Sequence, residues 1–176
     1  GNNVISGLGG DDILIAEKGV DILYGGKGKD TLVAIDGSDQ LFGGPESDIY
    51  QLTSISGIEY LAGHGVQTYT ISDDGGARDV LRICEVVGAP PLEFFPFLQQ
   101  LQFKIVGNDI YIDLPHITGA VDGVQLLSVK VGEVVIRGAN PDLPDSRLET
   151  LELYSADGTT QLGSAISMIS LWGALP

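Results

Sequence analysis

The sequence has little of several things on which proteins commonly rely. Its 176 residues contain one cysteine, two histidines and nine lysines and arginines, against 24 aspartates and glutamates. A single cysteine excludes an intrachain disulfide framework. The net charge of −15 argues against a nucleic-acid backbone or an anionic lipid surface as the main partner. No apolar run approaches the roughly 18 residues that cross a bilayer, so no transmembrane segment is expected.

Recognisable catalytic constellations are also absent from the sequence. His64 and His116 are far apart and lack metal-ligand spacing. Cys84 lies in an apolar stretch and is better interpreted as a small core residue than as a nucleophile. There is neither a glycine-rich phosphate loop nor a Gly-x-Ser-x-Gly turn. We therefore expect that this chain is not an enzyme, and the activity of a larger parent protein is left open.

The chain does have 25 glycines, and many of them belong to a nine-residue repeat in the first fifty residues. An aspartate, or once an asparagine, recurs at an unbroken spacing of nine. An apolar residue follows two positions after each of them. The repeated polar positions are Asn3, Asp12, Asp21, Asp30, Asp39 and Asp48.

Each unit predicts a turn followed by a short strand. Glycine permits the tight turn, and the residues around the apolar position form a strand of about three residues. A strand that short is not stable alone, so the units must stack. If two units form one coil, acids 18 residues apart in sequence become neighbours in space.

This stacking predicts columns of carboxylates beside backbone carbonyls. Hard oxygen ligands in a flexible turn favour Ca²⁺, whereas Mg²⁺ requires a stricter octahedron and Zn²⁺ prefers nitrogen or sulfur. The residues themselves therefore indicate sites for several calcium ions.

The stretch resembles the RTX nonapeptide, GGxGxDxUx with U apolar, which belongs to calcium-binding bacterial proteins of the haemolysin type. The resemblance implies a right-handed parallel β-roll with Ca²⁺ between stacked turns. A glycine-rich linker is the alternative, and the apolar residue present in every unit speaks against it.

Two columns of turns are expected to differ in calcium binding. The first keeps near the consensus and should bind well; its residues are Asp12, Asp30 and Asp48 with Gly7, Gly9, Gly10, Gly25, Gly26, Gly28, Gly43 and Gly44. The second has alanine in place of the first glycine and should bind more weakly; its residues are Asp21 and Asp39 with Gly19 and Gly37.

The remainder of the chain has the composition of a β-rich region. We divide the chain into a roll over 1–51 and a capping region over 52–176. Strands are predicted at 67–72, 79–86, 101–106, 109–114, 124–131 and 147–154, with Gly107-Asn108 as a tight hairpin turn. Near-helical spacing of apolar residues predicts a short helix over 160–175. The predicted class is thus all-β, a β-roll followed by a β-rich cap with a terminal helix.

Two further features leave alternatives open. The proline-rich loop 88–97 contains Phe94 and Phe95, which either cap a core or form an exposed partner surface. Asp73-Asp74 either binds an additional cation or is a solvated turn, and the solvated turn is the preferred interpretation.

Segments 69–79, 103–114 and 147–158 are similar to the C-terminal region of RTX cytolysins and adenylate cyclase-type toxins. The resemblance implies a secreted, extracellular bacterial protein that interacts with the type I secretion machinery through an uncleaved C-terminal signal. Because the first residues open within a repeat, we expect a fragment of a larger toxin that folds on binding calcium. The alternatives are the end of a large adhesin that contacts a host receptor or glycan, and the secretion tail of a hydrolase.

Overall fold

The computed structural model describes residues 1–53, 66–76, 78–84, 101–117, 128–138, 148–155 and 158–168. Within these ranges the chain is all-β, as expected. The strands are β1 Val4–Gly9, β2 Ile13–Gly19, β3 Ile22–Lys27, β4 Thr31–Gly37, β5 Gln40–Phe42, β6 Ile49–Leu52, β7 Gln67–Ser72, β8 Val80–Cys84, β9 Gln102–Val106, β10 Asp109–Ile117, β11 Ser128–Arg137, β12 Thr150–Tyr154 and β13 Ile166–Ser167.

Odd and even strands of the repeats belong to different sheets. One sheet has the order β1-β3-β5-β7-β11-β10-β9, and the other has the order β13-β12-β8-β6-β4-β2. Ile22 pairs with Val4 on one side and with Gln40 on the other, so register neighbours are 18 residues apart. This confirms that two nine-residue units make one coil of a β-roll.

The first four strands are longer than the three residues predicted for each unit. They have six or seven residues because pairing continues into the glycine-rich segment, as between Gly9 and Lys27. Backbone hydrogen bonds therefore join the stacked turns to one another, in the same way as they join the stacked strands.

Both sheets continue beyond the repeats. Strand β7 lies between β5 and β11, and β8 lies between β6 and β12, with parallel pairing throughout. The backbone ladders therefore cross the proposed boundary at residue 51 without a break. The division into 1–51 and 52–176 stays a prediction.

Antiparallel strands lie at the far end of each sheet. Strand β10 pairs with β11 and with β9, and β13 pairs with β12. The β9–β10 hairpin turns at Gly107-Asn108, where Val106 pairs with Asp109, as the sequence predicted.

Two apolar ladders in register form the centre of the core. Each ladder takes one side chain from every coil. In the repeats this side chain lies two residues after the repeated polar residue, and in the later strands it lies at the position that pairs in register with it. One ladder is Ile5, Leu23, Leu41, Ile71 and Ile136, and the other is Leu14, Leu32, Tyr50, Leu81 and Leu151. All belong to or pack against one buried cluster, which supplies the main apolar driving force for the fold.

The predicted helix over 160–175 is wrong over residues 160–167, and Met168 is the one helical residue in its described part. Ile166 belongs to strand β13 and pairs with Leu151 of β12. Gly163 has a φ of 84°, a left-handed conformation that interrupts a helix. The part of this prediction over 169–175 lies outside the described residues. So do the loop 88–97 with Phe94 and Phe95, and His64.

Candidate metal centre

The first acidic column extends through five coils. Register places Asp12, Asp30, Asp48, Asp79 and Glu149 one above another. The backbone N–H of each aspartate donates a hydrogen bond to a carboxylate oxygen of the next member of the column. The donor–acceptor distances are 2.8, 2.8, 2.7 and 2.6 Å along the series. Each of these bonds fixes one carboxylate oxygen at a turn.

The second oxygen of each aspartate has no hydrogen-bond partner. Oδ2 of Asp12, Asp30, Asp48 and Asp79 is buried and unpaired. A buried, unpaired carboxylate oxygen is costly. These atoms are therefore suited to bind a cation.

A backbone carbonyl oxygen lies near each of two unpaired carboxylate oxygens, and the first example is the space beside Gly7. An added Cβ at Gly7 would stand 2.6 Å from Oδ2 of Asp12 and 2.7 Å from the carbonyl oxygen of Gly25. The same arrangement recurs one coil later, where a Cβ at Gly25 would meet Oδ2 of Asp30 and the carbonyl oxygen of Gly43. Carboxylate and carbonyl oxygens thus share one small space, and an all-oxygen donor set fits Ca²⁺.

The second column is shorter. The N–H of Asn3 donates to Asp21 Oδ1 at 2.6 Å, and the N–H of Asp21 donates to Asp39 Oδ1 at 2.9 Å. Oδ2 of Asp21 and of Asp39 is also buried and unpaired. The next position in register is Tyr69, whose hydroxyl donates to Gln67 Oε1 at 2.8 Å, so the carboxylates stop there.

Alanine replaces the first glycine of the turn in this second column. Ala16 and Ala34 are buried and pair with each other in register, so their Cβ atoms occupy space that glycine leaves open at Gly7 and Gly25. The expected weaker calcium binding of the second column stays a prediction.

The structure places all the predicted site glycines at the turns. Each lies in the last three residues of a strand or in the two residues that follow it. They are Gly7, Gly9, Gly10, Gly19, Gly25, Gly26, Gly28, Gly37, Gly43 and Gly44.

Sequence reasoning missed Asp79 and Glu149 as members of the first column. Gly75-Gly76-Ala77-Arg78-Asp79 has one residue fewer than the repeat between its glycines and its acid, which breaks the nine-residue phase. The signal that remains is an acid two positions before a buried leucine. It occurs at Asp79 before Leu81 and at Glu149 before Leu151.

The preferred interpretation of Asp73-Asp74 as a solvated turn is wrong for Asp73. Asp74 is exposed, whereas Asp73 is 5% exposed, and its Oδ1 accepts a hydrogen bond from the Tyr50 hydroxyl at 2.8 Å. One carboxylate oxygen each from Asp48, Asp73 and Asp79 lies within 4.8 Å of the others.

Burial of these acids changes their protonation in the metal-free chain. Burial raises the pKa of Asp73 and of Asp79 to about 7, and the negative charges of neighbouring acids add to the effect. Burial likewise raises the pKa of Asp39 and of Asp48 to about 6. These four carboxyl groups therefore resist ionisation in the metal-free chain, and a bound cation favours it.

Cys84 is 3% exposed in strand β8, which confirms it as a core residue. His116 lies in β10. Among the described residues, no helix is long and apolar enough to cross a membrane.

Comparison with known families identifies the repeats. The family model described as RTX calcium-binding nonapeptide repeat (4 copies) matches residues 1–32 and, in an overlapping copy, residues 19–50. The comparison with curated proteins returned no match. The match, the coil of 18 residues and the columns of unpaired carboxylates agree: residues 1–50 are RTX repeats that bind Ca²⁺.

Proposed function

We propose that this chain is a module of a type I-secreted bacterial protein that folds on binding calcium, and that it works by binding rather than catalysis. The observation that carries the proposal is the column of aspartates, each with one buried and unpaired carboxylate oxygen. Without a cation, neighbouring carboxylates repel and are poorly solvated. With Ca²⁺ they become ligands, and the free energy of ion binding becomes free energy of folding.

In this proposal, the calcium concentration determines on which side of the cell envelope the chain folds. Extracellular calcium modules bind at roughly 10⁻⁴–10⁻³ M, far above the free calcium of a cytosol. The metal-free chain would therefore stay unfolded for export and fold outside the cell. Its partners in this scheme are calcium and the secretion machinery.

The antiparallel strands support a capping role for the C-terminal region. Parallel stacking in each sheet ends where β10 and β13 pair with the last parallel strands. A strand of opposite direction offers no template for a further repeat of the same kind, and it covers an edge that would otherwise be open. A secretion signal within 52–176 and a toxin as the parent protein rest on the resemblance of segments 69–79, 103–114 and 147–158 alone.

Circular dichroism of the chain in chelator, in Ca²⁺ and in Mg²⁺ tests the proposal. The expected result is little β-structure in chelator or Mg²⁺ and a cooperative gain of β-structure in Ca²⁺, because Mg²⁺ fits a flexible site of many oxygens poorly. A chain that is already fully β-structured in chelator would contradict the proposal.

A further inference from the structure

The cluster of Asp48, Asp73 and Asp79 lies where the last repeat turn meets the turn that follows it. The three residues are 0%, 5% and 0% exposed. Their Oδ2 atoms all lack a hydrogen-bond partner. Three ionised carboxylates that share such a small buried space require a positive charge among them.

The position of Asp73 makes this cluster different from the repeat turns. Because Phe42 pairs with Ser72, Asp73 follows β7 at the place where Gly43 follows β5. The corresponding residues in the first two turns of the column are Gly7 and Gly25. A third carboxylate therefore stands where the repeats carry only a hydrogen atom.

Tyr50 holds this third carboxylate. Its hydroxyl donates to Asp73 Oδ1 at 2.8 Å and accepts a hydrogen bond from the N–H of Gly43 at 3.1 Å. Tyr50 is fully buried, in the ladder position that leucine occupies in neighbouring coils. The tyrosine thus occupies one oxygen of Asp73 and leaves the other unpaired.

A backbone carbonyl oxygen adds to the three carboxylates as a candidate donor. An added Cβ at Gly76 would stand 2.5 Å from Oδ2 of Asp79 and 2.6 Å from the carbonyl oxygen of Glu46, so both oxygens border the same small space. All the candidate donors are oxygens, which favours a hard divalent cation over Zn²⁺.

We propose that Asp48, Asp73 and Asp79 form a three-carboxylate Ca²⁺ site, held by Tyr50, that joins the last repeat turn to the following segment. The proposal rests on the proposed calcium binding of the chain. Affinity for Ca²⁺ rises with the number of charged ligands and the rigidity of the site. This site therefore fills before the repeat sites.

Calorimetric titration of Ca²⁺ into the metal-free 176-residue chain tests the site through Asp73→Asn. The matched control is Asp74→Asn, which removes the same charge from the exposed neighbouring residue. We expect Asp73→Asn to lose the tightest ion, or to bind it about tenfold or more weakly, while Asp74→Asn binds like the wild type. Wild-type stoichiometry and affinity in Asp73→Asn would overturn the site.

A further variant separates this site from calcium binding by the repeats. Asp30→Asn should lose a weaker ion and keep the tightest one, because Asp30 lies outside the cluster. If the wild-type chain binds no Ca²⁺, both the site and the proposed function fail. If it binds Ca²⁺ and Asp73→Asn changes nothing, only the site fails.

Luminescence of Tb³⁺, used as a substitute for Ca²⁺, provides a second measurement that does not require Asp73→Asn to fold. Tyrosine sensitises Tb³⁺ only at short range, and Tyr50 contacts a proposed ligand. Tyr50→Phe keeps the ring and removes the hydroxyl. We expect it to lower the emission and the affinity of the first ion bound; unchanged emission and affinity for that ion would overturn the role of Tyr50 and the site.

Discussion

At the scale of single residues, the calcium-binding turns depend on close approaches that only glycine permits. Gly25 has no Cβ, so Oδ2 of Asp30 and the carbonyl oxygen of Gly43 come together beside it. Leu8, in contrast, is a residue with a side chain at a position where the next coil has glycine. It has a φ of 71° at the position equivalent to Gly26, and it is tolerated in the first turn because its side chain is 80% exposed.

Gly25→Ala should weaken calcium binding and cost about 1–3 kcal/mol of calcium-bound stability, because the new methyl group overpacks the turn. Calcium titration and thermal unfolding in Ca²⁺ measure both effects. The control is Gly107→Ala, at a φ of 65° with open space around it. Its cost should be about 1 kcal/mol of backbone strain with calcium affinity unchanged; equal losses of affinity in the two variants would contradict this account.

Leu8→Gly should stabilise the calcium-bound chain by about 1 kcal/mol, because it relieves a left-handed conformation at a leucine that buries little surface. Denaturant unfolding in saturating Ca²⁺ measures the change. Exposed Val4→Ala, at an ordinary φ on the same strand, is the control and should have little effect. A loss of stability in Leu8→Gly would mean that the leucine side chain contributes packing.

At the scale of strands, the repeat period predicted the fold of the first fifty residues well, since the period sets both the coil length and the register. Strand β7 also matches its predicted bounds, and β8, β9 and β12 differ from theirs by a few residues. These segments have strong alternation and clear turn residues at their ends, so local pattern was sufficient.

The prediction failed where tertiary pairing overrode local signals. The sequence pattern predicts that one strand ends before Pro115 and another before Gly132, yet β10 and β11 run through both residues. Leu114 pairs with Gly132 whereas Pro115 pairs with Lys130, so a bulge lies between them. A bulge accommodates both a proline and a glycine inside a strand. No local sequence pattern predicts this bulge.

Prediction of the three-carboxylate site from the sequence is also limited by pairing between strands that are distant in sequence. Asp12, Asp30 and Asp48 follow from spacing alone. Asp73 belongs to the site because β7 pairs with β5, across a sequence gap that contains no repeat. Only the register of the sheets shows that pairing.

Leu81→Ala should destabilise the calcium-bound chain by about 2–5 kcal/mol, because Leu81 continues the ladder from Tyr50 to Leu151. Val80→Ala, its partly buried neighbour in β8, is the control and should cost clearly less. Chemical denaturation in Ca²⁺ compares the two. An unchanged midpoint for Leu81→Ala would show that β8 is not part of the cooperative roll.

At the scale of the whole molecule, seven of the 24 acidic residues lie in the two columns that run along the sheets. The first column crosses from the repeats to β8 and β12, so we expect ion binding and the stability of the C-terminal strands to be coupled through the shared backbone ladders. We therefore expect calcium to stabilise the roll as a single cooperative unit.

Acid should partly replace calcium. The folded-state pKa values of Asp39, Asp48, Asp73 and Asp79 are raised to about 6–7 from 3.8. Each group therefore favours the folded state below about pH 4 and loses that contribution as the pH rises through 6 to 7. In chelator, lowering the pH from about 8 to about 5 should increase β-structure by circular dichroism.

The control for the acid experiment is Asp74→Asn, which removes an exposed charge and should leave the pH dependence unchanged. Asp79→Asn should reduce it. A metal-free chain that loses β-structure on acidification over this range would contradict the assignment of these buried acids.

The central claim is that calcium builds the acidic columns and the roll together, and hydrogen exchange tests it most directly. The backbone N–H groups of Asp12, Asp30 and Asp48 each donate to the carboxylate of the next coil. We predict that these amides exchange rapidly in chelator and become protected, together with those of the strands, when Ca²⁺ is added. Equal protection of these amides with and without Ca²⁺ would contradict the account.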